Sequence, residues 1–152
     1  MRQGLVLLGF ISLCLAAGAL GAAVTAPAIP TWYAAFAKPS FNPPNWIFAP
    51  VWTALYVLMA IAAWLVWRRG NARTPLTLFA LQLVLNSGWS LLFFGLHRVD
   101  FALIDIVLLL VAIAATALSF RTRSAVAALL LVPYLAWVSF ATVLNFAIWR
   151  LN

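Results

Sequence analysis

The chain has 152 residues, 67% of them hydrophobic and only 7% charged, with a formal net charge of +7. Soluble domains carry about a quarter charged residues, and so few could not coat a water-facing surface, so a soluble fold is excluded. The cations stand singly or in pairs at the ends of apolar runs, as they do at a bilayer interface, and form no basic stripe that could track nucleic acid.

Five apolar segments follow in chain order, at about residues 4–24, 46–67, 76–96, 101–120 and 125–149. Each approaches the roughly 20 residues a helix needs to cross about 30 Å of hydrocarbon. Their continuous apolarity, with weak period-2 alternation, argues against a membrane β-barrel. The expected fold is an all-α membrane protein: one transmembrane domain, a five-helix bundle with a long ordered first loop. The first segment has a rival reading, because Met1-Arg2-Gln3 and an apolar run ending Ala22-Ala23-Val24-Thr25-Ala26 resemble a signal peptide. The run is long for one, and it is read as helix one.

Three connections are short: 68–73, 97–100 and 121–124. Such lengths join neighbouring antiparallel helices. The first loop, about residues 25–45, is the exception. Trp32, Tyr33, Phe36 and Phe41 favour burial, and Pro27, Pro30, Pro39, Pro43 and Pro44 restrict its backbone. That composition predicts an ordered loop over the mouth of the bundle. Arg2, Arg68, Arg69, Arg73, Arg121 and Arg123 fall on one side, against Lys38, Arg98 and Arg150 on the other. The asymmetry predicts a cytoplasmic amino terminus, with loop one and the carboxyl terminus opposite.

In helix two, Trp52 and Tyr56 lie one turn apart, with Trp46 and Phe48 below them and Pro50 in the first turns. Trp46, Trp64, Trp67 and Trp149 suit interface anchors; Trp52 lies deeper and suits either core packing or a pocket wall. Gln82, Asn86 and Trp89 or Ser90 form one stripe on helix three. The stripe serves interhelical hydrogen bonding or faces an interior cavity. Asp105 in helix four either pairs with Arg98 or marks a site. In helix five, Pro133 predicts a kink, Tyr134 and Trp137 share a face, and Asn145 points inward. Gly18, Gly21 and Ala22 on helix one would allow close helix approach.

Catalytic and cofactor motifs are scarce. Cys14 and His97 are each the sole residue of their type, which leaves no residue set for a protein-bound zinc or a two-histidine haem. His97 and Asp100 share a short loop with no nucleophile beside them. No metal and no obligatory cofactor is expected. The absence of an internal repeat counts against a rocking-bundle transporter.

The run Trp32-Tyr33, Lys38-Pro39, Pro43-Pro44, Phe48, Trp52 and Tyr56 resembles the first-loop and second-helix pattern of the tryptophan-rich sensory protein (TspO) family, which includes the mitochondrial translocator protein. Gln82, Leu85-Asn86, Trp89-Ser90 and Phe93-Phe94-Gly95 resemble its third-helix motif. Pro133-Tyr134-Leu135-Ala136-Trp137, Phe140-Ala141 and Leu144-Asn145 resemble its fifth. The resemblance covers essentially the whole chain in register.

It implies a five-helix bundle, usually dimeric and more often paired through helix three, with a pocket opening toward the first loop. The ligands it implies are porphyrins and haem-pathway tetrapyrroles, sterols in some members, and isoquinoline carboxamide or benzodiazepine drugs. The implied pocket is Tyr33 and Pro43 from the loop; Trp52 and Tyr56 from helix two; Asn86 and Trp89; and Trp137. Trp46 and Phe48 extend it at the foot of helix two, and Lys38 at the rim attracts a propionate or merely snorkels to the interface. The implied role is a membrane receptor or sensor in tetrapyrrole traffic. An alternative is light-dependent porphyrin degradation by Trp52 and Trp137, and a third is a porphyrin or sterol transporter. One departure is Phe146, which stands where many relatives' proposed sterol motif has tyrosine, so sterol recognition through that segment is in doubt.

Overall fold

A computed structural model describes all residues, Met1–Asn152. It is all-helical, with five helices long and apolar enough to cross a membrane. These are α1 (Arg2–Ala28), α2 (Asn45–Arg68), α3 (Arg73–Gly95), α4 (Val99–Arg121) and α5 (Ala125–Leu151). The expected bundle of five spans is therefore present, and four of the five boundaries fall close to the hydropathy limits.

The exception is the end of α1. The helix continues through Pro27 to Ala28, four residues past the expected end at Val24. The Ile29 amide bonds the Thr25 carbonyl at 3.1 Å, and the Thr31 hydroxyl donates to the Pro27 carbonyl at 2.8 Å. Those two bonds supply the last turn with partners despite the proline, and they shorten the first loop. What remains of that loop contains a 3-10 turn at Tyr33–Ala35, and another at Asn45–Ile47 opens α2.

Two helices depart from regular geometry where it matters. The last turn of α3, Leu91–Gly95, is π-helical. The Leu96 amide reaches the Leu91 carbonyl at 2.7 Å, and His97 reverses the chain with φ +57°. A π turn aligns residues five apart, so Phe93 and Phe94 both pack against Trp89, at 5.1 and 5.8 Å between centroids. Helix α5 breaks at Leu131 into Ala125–Leu130 and Val132–Leu151. The expected irregularity at Pro133 thus takes the form of a restart: the proline occupies the first turn of the second piece, where its missing N–H is least costly.

Packing runs α1 along α2, α3 along α4, and α4 along the second piece of α5, with α1 also touching α3. The core holds Leu55, Met59, Phe79, Ile106, Phe120 and Tyr134, all buried. Helix α1 approaches closely because it presents glycine. A Cβ on Gly18 would lie 2.7 Å from the Tyr56 ring, and one on Gly21 would lie 3.0 Å from Ser90 Oγ. These two glycines serve contacts within the chain and are not a free face for a partner helix.

Arg98 does not pair with Asp105. It makes a bidentate bridge to Asp100, with Nη2–Oδ2 at 2.7 Å and Nε–Oδ1 at 3.0 Å. Asp100 lies two residues away at the same helix end, so the shorter reach wins over a seven-residue span.

Phe120 is fully buried and stacks on Phe79 with centroids 6.2 Å apart. Phe120→Ala is expected to cost about 3–5 kcal/mol through lost packing and the cavity left behind. Leu118→Ala, on the outer face of the same helix, should change stability by about 0.5 kcal/mol or less. Thermal unfolding in a fixed detergent checks both.

Candidate ligand-binding site

Beneath loop one, α1, α2, α3 and α5 enclose a cavity of about 320 Å³. Helix α2 contributes Phe48, Trp52 and Tyr56 on successive turns. Helix α3 contributes Asn86, Trp89, Ser90, Phe93 and Phe94, and α5 contributes Trp137, Leu144 and Asn145. Tyr33 closes the loop-one end, and the α1 wall is small-sided, with Gly18, Gly21 and Ala22. The site is concave and mostly apolar, with a few polar groups, as small-molecule sites generally are.

The polar stripe of α3 does both things the sequence left open. The Tyr56 hydroxyl donates to Asn86 Oδ1 at 2.6 Å, Asn86 Nδ2 donates to the Tyr134 hydroxyl oxygen at 2.7 Å, and the Tyr134 hydroxyl donates to Gln82 Oε1 at 2.7 Å. This chain joins α2, α3 and α5. Asn86 and Tyr56 also line the cavity, whereas Gln82 and Tyr134 lie behind its wall. A second tie runs nearer loop one. Trp89 Nε1 donates to Asn145 Oδ1 at 2.9 Å, and Asn145 Nδ2 donates to the Val99 carbonyl at 3.1 Å. Both amides are therefore held before any ligand arrives, which fixes the rings around them.

Aromatic contacts set the remaining walls. Trp52 lies 5.7 Å from Tyr56 and 6.2 Å from Tyr134, and Phe48 lies 6.1 Å from Trp137. Gln82 and Asn86 are almost fully buried, yet neither is left without a bond, so the cavity wall stores little electrostatic strain.

Loop one folds over this mouth through its own contacts. Tyr33 is buried and donates to Asn42 Oδ1 at 2.9 Å. Burial pushes its phenol up to about 12, so it acts as a neutral donor. Lys38 Nζ sits 4.6 Å above the Tyr33 ring and donates to the Phe36 carbonyl at 3.0 Å. Phe41 packs on Phe140 and Trp32 stacks on His97, at 6.2 and 4.3 Å.

Of the residues singled out from sequence, the structure brings together Tyr33, Phe48, Trp52, Tyr56, Asn86, Trp89 and Trp137 on one cavity. Pro43, Trp46 and Lys38 do not line it. Trp46 is 74% exposed, which is the interface position first considered for it. Pro43 offers its carbonyl to Asn42 Nδ2 at 3.3 Å and so helps fix the loop. Sequence reasoning missed the α1 wall and the inward turn of Phe93 and Phe94. The two glycines of α1 were the available signal, though they pointed equally to a partner chain.

A model of the TspO/MBR family matches residues 10–150. The chain belongs to this family. It is 46% identical to the tryptophan-rich protein TspO of Chlorobaculum tepidum, over 99% of this chain and 98% of that protein. It is 44% identical to the human translocator protein, over 80% of this chain and 75% of that protein. Protein CrtK of Rhodobacter capsulatus is 40% identical, over 91% and 88% respectively. The family resemblance seen in the three motifs is thereby established, and the protein is an integral, multi-pass membrane member of the TspO/MBR family.

Tyr134 both accepts and donates in the buried chain, so Tyr134→Phe leaves Asn86 and Gln82 each one bond short. The expected loss is about 1–3 kcal/mol, read as a lower unfolding temperature. Asn86→Leu in the same background should cost less than the two single changes added together, because the bonds are shared.

Proposed function

We propose that this TspO/MBR protein is a membrane receptor that binds flat, largely apolar aromatic ligands, foremost porphyrin-type tetrapyrroles, in the cavity under loop one. The observation that carries this reading is the wall itself: Trp52, Trp89, Trp137, Phe48, Phe93 and Phe94 surround one space with few polar groups. A planar macrocycle matches indole and phenyl faces, each contact contributing about 0.5–1.5 kcal/mol beyond area burial. Isoquinoline and benzodiazepine-type compounds fit the same chemistry on a smaller scale. Lys38 is engaged by Tyr33 and Phe36, so a propionate at the rim would have to compete for it.

The reading extends to topology and assembly. The six-to-three cation asymmetry supports a cytoplasmic amino terminus, with loop one on the opposite face. A homodimer is the proposed assembly, and the glycine contacts of α1 leave its Gly18–Gly21 face unavailable as the pairing surface. Sterols are the less favoured ligand, since Phe146 lies on the outer surface with no hydroxyl to offer.

A second reading rests on Trp52 and Trp137 facing one cavity. Indoles held there are placed to donate an electron to a photoexcited porphyrin, which is the first step of a light-dependent breakdown.

Titration of the purified protein with protoporphyrin in the dark is expected to quench tryptophan emission saturably. Trp52→Ala should weaken binding roughly two- to tenfold; unchanged affinity would place the ligand elsewhere. Illumination of the complex then separates the readings. A new absorbing product that disappears in Trp137→Phe favours the enzyme, and a stable spectrum favours the receptor.

A further inference from the structure

An acid without a partner sits where α3 meets α4. Asp105 Oδ1 lies 3.2 Å from the point where a Cβ on Gly88 would be. Its Oδ2 has no hydrogen-bond partner and almost no surface that water can touch. The molecule's one salt bridge is elsewhere, between Arg98 and Asp100.

The surrounding helices bring no compensating cation. Helix α3 carries no charged side chain after Arg73 at its start. Helix α5 offers Tyr134, whose hydroxyl is taken by Asn86 and Gln82, and Arg150 near its far end. Helix α2 offers Tyr56, already bonded to Asn86, and Arg68 at its end. On α4 itself, Asp100 is held by Arg98 and Arg121 stands at the opposite terminus. His97, in the preceding turn, is stacked on Trp32. Asp105 is half-buried, with Oδ2 its sealed oxygen; a charge held there without a partner is penalised, and a neutral acid is not.

We propose that Asp105 is a proton-binding site within the membrane span, and that its proton occupancy is linked to occupancy of the cavity. The step is the release of one proton from the carboxyl group to solvent, with no other bond changed. With the proton on, the acid lies neutral against Gly88, Oδ2 needs no water, and the seam stays closed. With the proton off, the charged Oδ2 is left without a partner, and bringing water to it parts α3 and α4 at Gly88.

Gly88 is next to Trp89, a cavity wall residue, and Trp89 holds Asn145, which in turn holds the Val99 carbonyl at the start of α4. Parting the seam therefore strains the same tie that positions two cavity groups. The π turn at Leu91–Gly95 follows directly, and such turns offer a helix an alternative local winding. The protonated form is the one that keeps the cavity walls in place, so ligand binding takes up a proton and, reciprocally, protonation tightens binding.

The proton-site half of this inference stands alone; the linkage half rests on the proposed binding function. Infrared spectra of the lipid-reconstituted protein, with and without carboxyl-labelled aspartate, read the first. A carboxylic-acid carbonyl band that shifts with the label is expected at about pH 5, where an ordinary aspartate is mostly ionised, in wild type, absent in Asp105→Asn, and lost from wild type as pH rises. No Asp105-dependent band at about pH 5 overturns the proton site.

The linkage is read with a neutral isoquinoline carboxamide as probe, from about pH 5 to about pH 9. Wild-type affinity should fall about fivefold or more across the range in which the band disappears. Asp105→Asn should hold the low-pH affinity throughout. Matching pH profiles for the two proteins overturn the linkage. Failure of both this probe and protoporphyrin to bind at any pH removes the binding function and the linkage with it, while the infrared band still decides the proton site.

Discussion

The constraint on which the rest of this structure depends is the buried hydrogen-bond chain from Tyr56 through Asn86 and Tyr134 to Gln82. Between helices in lipid, apolar side chains gain little by leaving hydrocarbon for protein, so association leans on close packing and on polar ties. Two amides and two phenols supply such ties across α2, α3 and α5, and each link satisfies a group that would otherwise be costly to hold away from water. Once Asn86 is fixed this way, Trp89 one turn on is fixed in azimuth. The bond from Trp89 to Asn145 then brings in the second half of α5 and the start of α4.

That framework explains why a cavity persists in a bundle whose interior is otherwise filled. The large residues of α2, α3 and α5 are already committed to polar or ring contacts and cannot collapse inward. Helix α1 meets them with glycine at two positions, which lets its backbone approach Tyr56 and Ser90 without a side chain to fill the gap. The π turn at the end of α3 directs both Phe93 and Phe94 to the same side. The space left over is lined mainly by ring faces, and loop one covers it through contacts of its own, with Tyr33 as the one buried ring that belongs to both.

Much of this was legible in the chain before any coordinates. Hydropathy alone yields five spans because about 20 apolar residues have few other uses. The stripe of Gln82, Asn86 and Trp89 follows from helical spacing, and the family resemblance carries most of the remaining cavity residues. The parts that were not legible have local causes. The end of α1 was misplaced because Pro27 reads as a stop, whereas Ile29 and Thr31 supply the bonds that let the helix pass it. The π turn leaves no hydropathy signature, since all five of its residues are apolar or glycine. One of the two readings of Asp105 paired it with Arg98 by helical reach, but a nearer acid at an exposed helix end costs less to pair.

The displaced Arg98 changes the meaning of Asp105. Had the two paired, the acid would be a structural anchor at a helix end, with its charge balanced and no reason to titrate. With Arg98 spent on Asp100, the one remaining acid is left unpaired against Gly88 of α3, which has no side chain to contribute. An asparagine at Asp105 would match the carboxyl group in volume, so packing against Gly88 alone does not call for an acid there. The group that packing does not require, in a position where charge is penalised, is the one whose protonation can distinguish two arrangements of α3 and α4. The cavity lies a single residue away along α3, at Trp89. A pocket built from rigid rings has few other places where a small change in free energy could be converted into a change in shape.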